Sequence, residues 1–291
     1  MSVLYGLMRN SRKVGSLKLP LHTFSYLKNI LIIFICLIFC TPLLMLLFGS
    51  FKTLAEADKV WVIIPKAEWR FENYLEVFQK APIIRSAANG FFISISSVAI
   101  VILTSVMCSF IIGRRKDKVS NFFYILFIGG LTLPVSYIPL IKVLQVLGIA
   151  NTYLGVILVL SAIGLPFNVF LITGFIRTVP REMDEAAVID GCKTIELFLR
   201  IIVPLLKPVI AVASINIFIF GWNNFMLPLY LLGDPKKWTM PLTIFNFYGQ
   251  YFRSWNLVFA NMVITAVPCL LILLFAQKHL IAGVTAGAVK G

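Results

Sequence analysis

Acidic side chains are scarce in this sequence: 12 Asp and Glu stand against 26 Lys and Arg in 291 residues, and charged residues together make up only 13%. Soluble domains carry about twice that share, so an ordinary water-soluble globule is excluded. None of the twelve acids falls inside a long apolar run. Six (Glu56, Asp58, Glu68, Glu72, Glu76, Asp234) lie on one side of the implied membrane and six (Asp117, Glu182, Asp184, Glu185, Asp190, Glu196) on the other. Carriers driven by protons or ions commonly keep an ionisable group at membrane depth; its lack here disfavours direct ion coupling. Histidine occurs only at His22 and His279. No Ser, Cys or carboxylate stands beside either as nucleophile and base, which leaves a membrane enzyme without support. The phosphate cradle G-x-x-x-x-G-K-[ST] is missing as well, so any ATP is hydrolysed by another chain. The five cysteines, Cys36, Cys40, Cys108, Cys192 and Cys269, fall within apolar runs or on the basic face, and neither a disulfide nor a metal centre is expected.

Apolar sequence fills the place of charge, with hydrophobic residues at 59%. Runs near the roughly 20 residues needed to cross a bilayer as a helix occur at 29–49, 88–112, 121–144, 153–176, 205–232 and 257–277. They predict an all-α integral membrane protein with six transmembrane helices. The first run is too long for a signal peptide and lacks a small-residue cleavage site. Pro134 and Pro139 interrupt the third and break or kink its helix. The chain thus divides into an N-terminal arm (1–28), a transmembrane domain (29–280) and a C-terminal tail (281–291). Sixteen Lys and Arg fall on the face holding both termini and ten on the opposite face. Both termini are therefore expected in the cytoplasm, with the chain multi-pass in the cell membrane. The basic residues are scattered over loops rather than gathered in one stripe, which suits a lipid surface and not nucleic acid.

One segment of the basic face, residues 177–208, is dense in charge of both signs. Thr178 and Pro180 suit a helix start, and Glu182, Asp184 and Glu185 complement the positive end of the helix dipole. A short helix to about Asp190 is expected. Gly191 then permits a change of direction, Thr194 caps a second helix, and Ile195, Phe198, Ile202 and Leu205 recur at helical spacing. Such a bent pair is either an amphipathic connector resting on the membrane or a rigid grip for a soluble partner.

The stretch "EAAVIDGCKTIELFLRIIVPLLKP" resembles the EAA loop of bacterial binding-protein-dependent ABC importers, at Glu185, Ala186, Ala187, Asp190, Gly191, Pro204 and Pro208. The resemblance continues in "SFKTLAEA", "NYLEVF", "LGIANTYLGVIL", "GWNNFMLPLYLL" and "AGVTAGAVKG", in the order found in carbohydrate permease subunits of the MalG-like type. Cys192 replaces the commoner Ala, Asn224 stands where an acid is frequent, and "ANG" at 88–90 replaces Asn-Ser. The resemblance implies a type I ABC importer permease fold in which Glu185, Ala186, Ala187, Asp190 and Gly191 form a coupling helix docking into the ATPase. It also implies a second, MalF-like permease, an ATPase dimer carrying ATP and Mg2+, an extracytoplasmic solute-binding protein and a carbohydrate substrate. The tail, with Gly287, Val289, Lys290 and Gly291, is implied to insert between the ATPase subunits.

Asn216, Phe220, Asn223 and Leu227 fall on one helical face, beside Trp222 and Asn224. Aromatic rings and amides are the groups that bind sugars, so Asn216, Phe220, Trp222, Asn223 and Asn224 are candidate pathway residues; Asn side chains also hold membrane helices together. The outer loop 233–256 either touches the binding protein, as the resemblance implies, or serves as an aromatic belt through Trp238, Tyr251 and Trp255. Lys142 is the one basic candidate for recognising an anionic solute. The competing functions are an importer of a polyol phosphate or acidic oligosaccharide, an ion-driven carrier and a membrane scaffold.

Overall fold

The computed structural model describes residues 21–59, 64–66, 68–249 and 253–288, and among them the structure is helical throughout, with a lone antiparallel bridge between Tyr248 and Arg253. The helix α1, Leu21–Gly49, begins inside the stretch assigned to the N-terminal arm; residues 1–20 lie outside the described residues. It rests on the body mainly through its C-terminal end. There Asn73 Nδ2 donates to the Ser50 and Lys52 carbonyls at 2.8 and 2.9 Å. Two short helices follow, α2 at Leu54–Ala57 and α3 at Glu72–Lys80.

The central element is α4, Ile83–Arg114. Its buried positions include Ser86, Gly90, Ser94, Ser97, Val101, Ser105, Ser109 and Ile112, stepping by three or four along one face. Small residues at that spacing let neighbouring membrane helices approach closely. Ser97 returns its hydroxyl to the Ile93 carbonyl at 2.8 Å, while Ser109 reaches across to the Val169 carbonyl at 3.2 Å. Val169 belongs to α7, Tyr153–Ile176, the helix α4 packs against most extensively.

Between them lie α5, Lys118–Gly130, and α6, Tyr137–Val146. The run expected as one span at 121–144 is therefore two helices separated by residues 131–136. Pro134 lacks an N–H and disfavours helix at the residue before it, so the chain leaves the helix and restarts at Tyr137. The end of α6 is a Schellman closure at Gly148, φ 69°: the Ile149 N–H bonds the Leu144 carbonyl at 3.0 Å and the two side chains meet in one apolar cluster.

Beyond α7 come α8, Glu182–Ile189, and α9, Thr194–Leu205, which contains one π-helical stretch at Leu197–Ile202. The chain then turns by 73° into α10, Lys207–Trp222. Pro204 and Pro208 flank this bend. The expected fifth span, 205–232, also departs from a continuous helix: α10 stops at Trp222 and a separate α11 occupies Met226–Leu231. Two 3-10 segments, Pro235–Lys237 and Met240–Asn246, lead to the long final helix α12, Trp255–Ala288.

Four described helices are long and apolar enough to cross a bilayer, within Lys28–Gly49, Ile83–Arg114, Tyr153–Ile176 and Trp255–Phe275, and a fifth is added if α9 and α10 form one bent span. The six expected crossings are thus not six unbroken helices. Three apolar clusters hold the bundle. One joins α3, α4, α10 and α12 around Trp222, a second joins α4, α6, α7 and α11, and the third gathers Val106, Ile176, Ala187, Leu197, Ile202 and Leu206 beneath the charged segment.

Candidate functional site

The charged segment is built on α8. Glu182, Asp184 and Glu185 fill its first turn, where carboxylates face the positive end of the dipole. The helix closes at Gly191, φ 83°, with the Cys192 N–H on the Ala187 carbonyl and the Gly191 N–H on the Val188 carbonyl, both at 3.0 Å. This is again a Schellman closure, which brings its third-last helical residue against the residue after the glycine. Here those are Ala187 and Cys192, and both sit in the third apolar cluster. The spacing from Ala187 to Gly191 therefore has a physical cause: one small buried contact, one left-handed residue. A Cβ added at Gly191 would meet nothing within 4 Å, so the position requires the backbone angle rather than room.

Arg114, the last residue of α4, anchors the segment. Its Nε lies 2.7 Å from Asp184 Oδ2 and its Nη2 donates to Oδ1 at 2.9 Å. Nη1 donates to the Val179 carbonyl at 2.9 Å, and Arg181 Nη2 donates back to the Arg114 carbonyl at 3.0 Å. The two paired side chains are only 11% and 18% exposed, so this ion pair, hydrogen-bonded through Nη2, is largely shielded from water. On the far side Glu185, Ala186 and Asp190 are exposed, with Val188 at 61% and Ile189 at 85%. The next helix begins one residue earlier than expected: Lys193, not Thr194, occupies its N-cap, and the Lys193 N–H donates to Glu196 Oε2 at 3.2 Å. Ile195 at its start is 71% exposed and extends the apolar tip. An apolar tip ringed by carboxylates and held on a fixed stem has the form of a docking surface.

The pathway candidates separate by location. Asn216, Phe220 and Asn223 are exposed along α10, whereas Trp222 is 1% exposed, with its Nε1–H donating to the Thr265 carbonyl at 2.9 Å. Asn224 Oδ1 accepts the Leu227 N–H at 2.9 Å in the first turn of α11, and Leu227 itself is buried. The helix break after Trp222 is why Leu227 leaves the face shared by the other three. Asn223 borders a cavity of about 320 Å3 with Phe225, Asn261 and Thr265. Thr243 Oγ1 lies 2.9 Å from Asn261 Oδ1 behind it. Asn261 and Thr265 were not legible as partners of Asn223, because α12 returns to α10 only through the tertiary fold.

The loop expected to face outward is pinned by Asn89 of α4, whose Nδ2 donates to the Lys236 and Trp238 carbonyls at 3.0 Å each while its Oδ1 accepts the Tyr153 hydroxyl at 2.9 Å. Trp238 and Trp255 are half-buried against Phe245 and Tyr248 respectively; Tyr251 lies outside the described residues. Lys142 is exposed on α6. Gly287 falls within the backbone of α12, and Val289, Lys290 and Gly291 lie outside the described residues.

Fold and surface together define a polytopic, all-helical membrane protein that presents an anchored, charged helical hairpin at its basic end. The chain belongs to the binding-protein-dependent transport system inner membrane component family, whose pattern it matches over residues 105–285. It is 31% identical to the diacetylchitobiose uptake system permease protein NgcG of Streptomyces coelicolor, covering 92% of this chain and 89% of that one. It is 34% identical to the multiple sugar-binding transport system permease protein MsmG of Streptococcus mutans, covering 86% and 91%. It is 32% identical to the melibiose/raffinose/stachyose import permease protein MelC of Bacillus subtilis, covering 86% and 91%. Its fold resembles a chain of a bacterial ABC transporter that imports the acidic polysaccharide alginate, with TM-score 0.77 at 18% identity, covering 88% of this chain and 96% of that one.

Proposed function

We propose that this chain is one permease subunit of an ATP-driven carbohydrate importer, crossing the cell membrane six times with both termini in the cytoplasm. The broken pairs α5–α6 and α10–α11 supply the third and fifth crossings. A second, homologous permease completes the pathway, an ATPase dimer binds ATP and Mg2+, and an extracytoplasmic binding protein delivers the sugar. The observation that carries this reading is the family match across residues 105–285, which contains the anchored α8 with its exposed Val188 and Ile189. Glu185, Ala186, Ala187, Asp190 and Gly191 form the coupling element, and the Arg114–Asp184 pair ties it to α4.

In mechanism, closure of the ATPase dimer pushes on α8. Because α8 is fixed to α4 and packed on α7 and α9, the push moves the helices as a body rather than bending one loop. Nucleotide shifts the equilibrium between inward- and outward-facing states only to the extent that the docked contacts differ between them. Asn216, Phe220 and Asn223 meet the sugar on one wall of the pathway, and the tail at Gly287, Val289, Lys290 and Gly291 enters between the ATPase subunits.

Co-purification from native membranes tests this. Recovery of a second permease and an ATPase, with hydrolysis that rises with one sugar-loaded binding protein, is the expected result. Recovery of the chain alone under every detergent and lipid condition would overturn it. Stimulation by a binding protein loaded with an anionic solute instead would replace the neutral carbohydrate by that solute.

A further inference from the structure

A second cavity, of about 500 Å3, opens beside the coupling segment between the ends of α4, α5 and α7. Its walls include Arg114, Arg115, Lys116, Arg177 and Arg181, against a single carboxylate, Asp117. Arg114 is matched by Asp184, and the Arg177 guanidinium lies 4.3 Å over the ring of Tyr124. Asp117 is occupied as the cap of α5: its Oδ1 accepts the Ser120 N–H at 3.0 Å, and hydrogen bonding from the Ser120 side chain, then from this N–H, holds its carboxyl below the usual range. The walls therefore keep an excess of positive charge, and Arg115 and Lys116 are both exposed at the mouth. Like charges gathered in one concavity repel until an anion is present.

The neighbouring surface says what kind of anion. Within the first two turns of α5, Val119 is 61% exposed, Phe122 62% and Phe123 46%. The helix that lines the cavity through Asp117 and Asn121 thus carries exposed apolar side chains in the same two turns. A molecule with a phosphate at one end and hydrocarbon at the other fits both surfaces at once, and basic pockets at the membrane face between helices are suited to such headgroups. We propose that this cavity holds the phosphate-bearing headgroup of an anionic phospholipid, whose acyl chains lie along α5. Bound there, the lipid bridges the ends of α4 and α7, the two helices that carry the coupling segment. The proposal rests on the membrane placement of the chain and is independent of which solute it transports.

The test uses the intact complex in nanodiscs of mixed phosphatidylglycerol and phosphatidylcholine, with tightly retained lipid counted by native mass spectrometry. The wild type is expected to retain phosphatidylglycerol selectively. Arg115→Gln with Lys116→Gln is expected to weaken that retention by roughly thirtyfold, the loss for two interfacial charges. Lys59→Gln with Lys80→Gln, which removes two charges from the opposite end, is expected to leave it unchanged. Equal retention in the first variant, or equal retention of phosphatidylcholine, would overturn the proposal. Displacement by millimolar inorganic phosphate would assign the cavity to a free anion and overturn the lipid. Loss of the ATPase from the first variant with phosphatidylglycerol still bound would make the cavity a protein contact and overturn it equally.

Discussion

Gly191 takes φ 83° in open space, so its substitutions are graded by backbone preference alone. Asn tolerates the left-handed region, whereas a β-branched residue there costs about 1–2 kcal/mol. Gly191→Asn is expected to retain solute uptake and Gly191→Val to lose most of it, measured as initial rates at matched membrane levels. Room decides at Ala187, which is buried against the third cluster. Ala187→Leu overpacks it by about 1–3 kcal/mol, and the expected outcome is reduced uptake together with a lower unfolding temperature of the complex. The neighbouring Ala186 is exposed, so Ala186→Leu is expected to leave that temperature unchanged. Glu185 was legible in the sequence as a first-turn acid and Gly191 as a change of direction, whereas Ala186, Ala187 and Asp190 stood out only through the family resemblance. Their division between body and surface was not legible, since it depends on which face of α8 meets α7 and α9.

At the scale of elements, the Arg114–Asp184 pair joins residues seventy positions apart, beyond the reach of any local pattern. Removing one member of a shielded pair strands the other, at a cost of roughly 3–5 kcal/mol when the site is fully buried. At 11% and 18% exposure a smaller loss, roughly half of that, is expected for Arg114→Leu, read as easier proteolytic nicking of residues 177–193 and as ATPase activity uncoupled from uptake. Helices α4 and α7 were legible nearly to their ends, as continuous apolar runs of sufficient length. The third and fifth runs were apolar enough to read as spans, yet both contain breaks. Pro134 announces the first break in the sequence. The second falls after Trp222, where Asn224 Oδ1 accepts the Leu227 N–H of α11. Apolar length alone cannot distinguish one long helix from two short ones, because both bury the same composition. Trp222→Ala is accordingly expected to destabilise the bundle by about 3–5 kcal/mol through the cavity it leaves. Asn223→Ala, at an exposed site, is expected to change the apparent KM for solute while leaving the unfolding temperature in place.

For the whole molecule, stability and action are divided between its two ends. One end is tied by Asn73 and Asn89 to loop carbonyls, and the basic end is tied by Arg114 to α8. Between them, α4 and α7 pack closely along one another, so a force on α8 is expected to reach the opposite end. Under the proposed function, that continuity carries ATPase-driven motion from one side of the membrane to the other. The proposed partner surface stood out in the sequence by charge density, but its apolar tip did not, because Val188 and Ile189 look like core residues until the fold turns them outward. Burial of two such side chains in a partner contributes about 1.5–3 kcal/mol each. The direct measurement is retention of the ATPase by the purified complex, comparing wild type with Val188→Asp, Ile189→Asp. The account predicts that the variant reaches the membrane folded but loses the ATPase and all sugar-stimulated hydrolysis. Full retention with undiminished stimulated hydrolysis would contradict it.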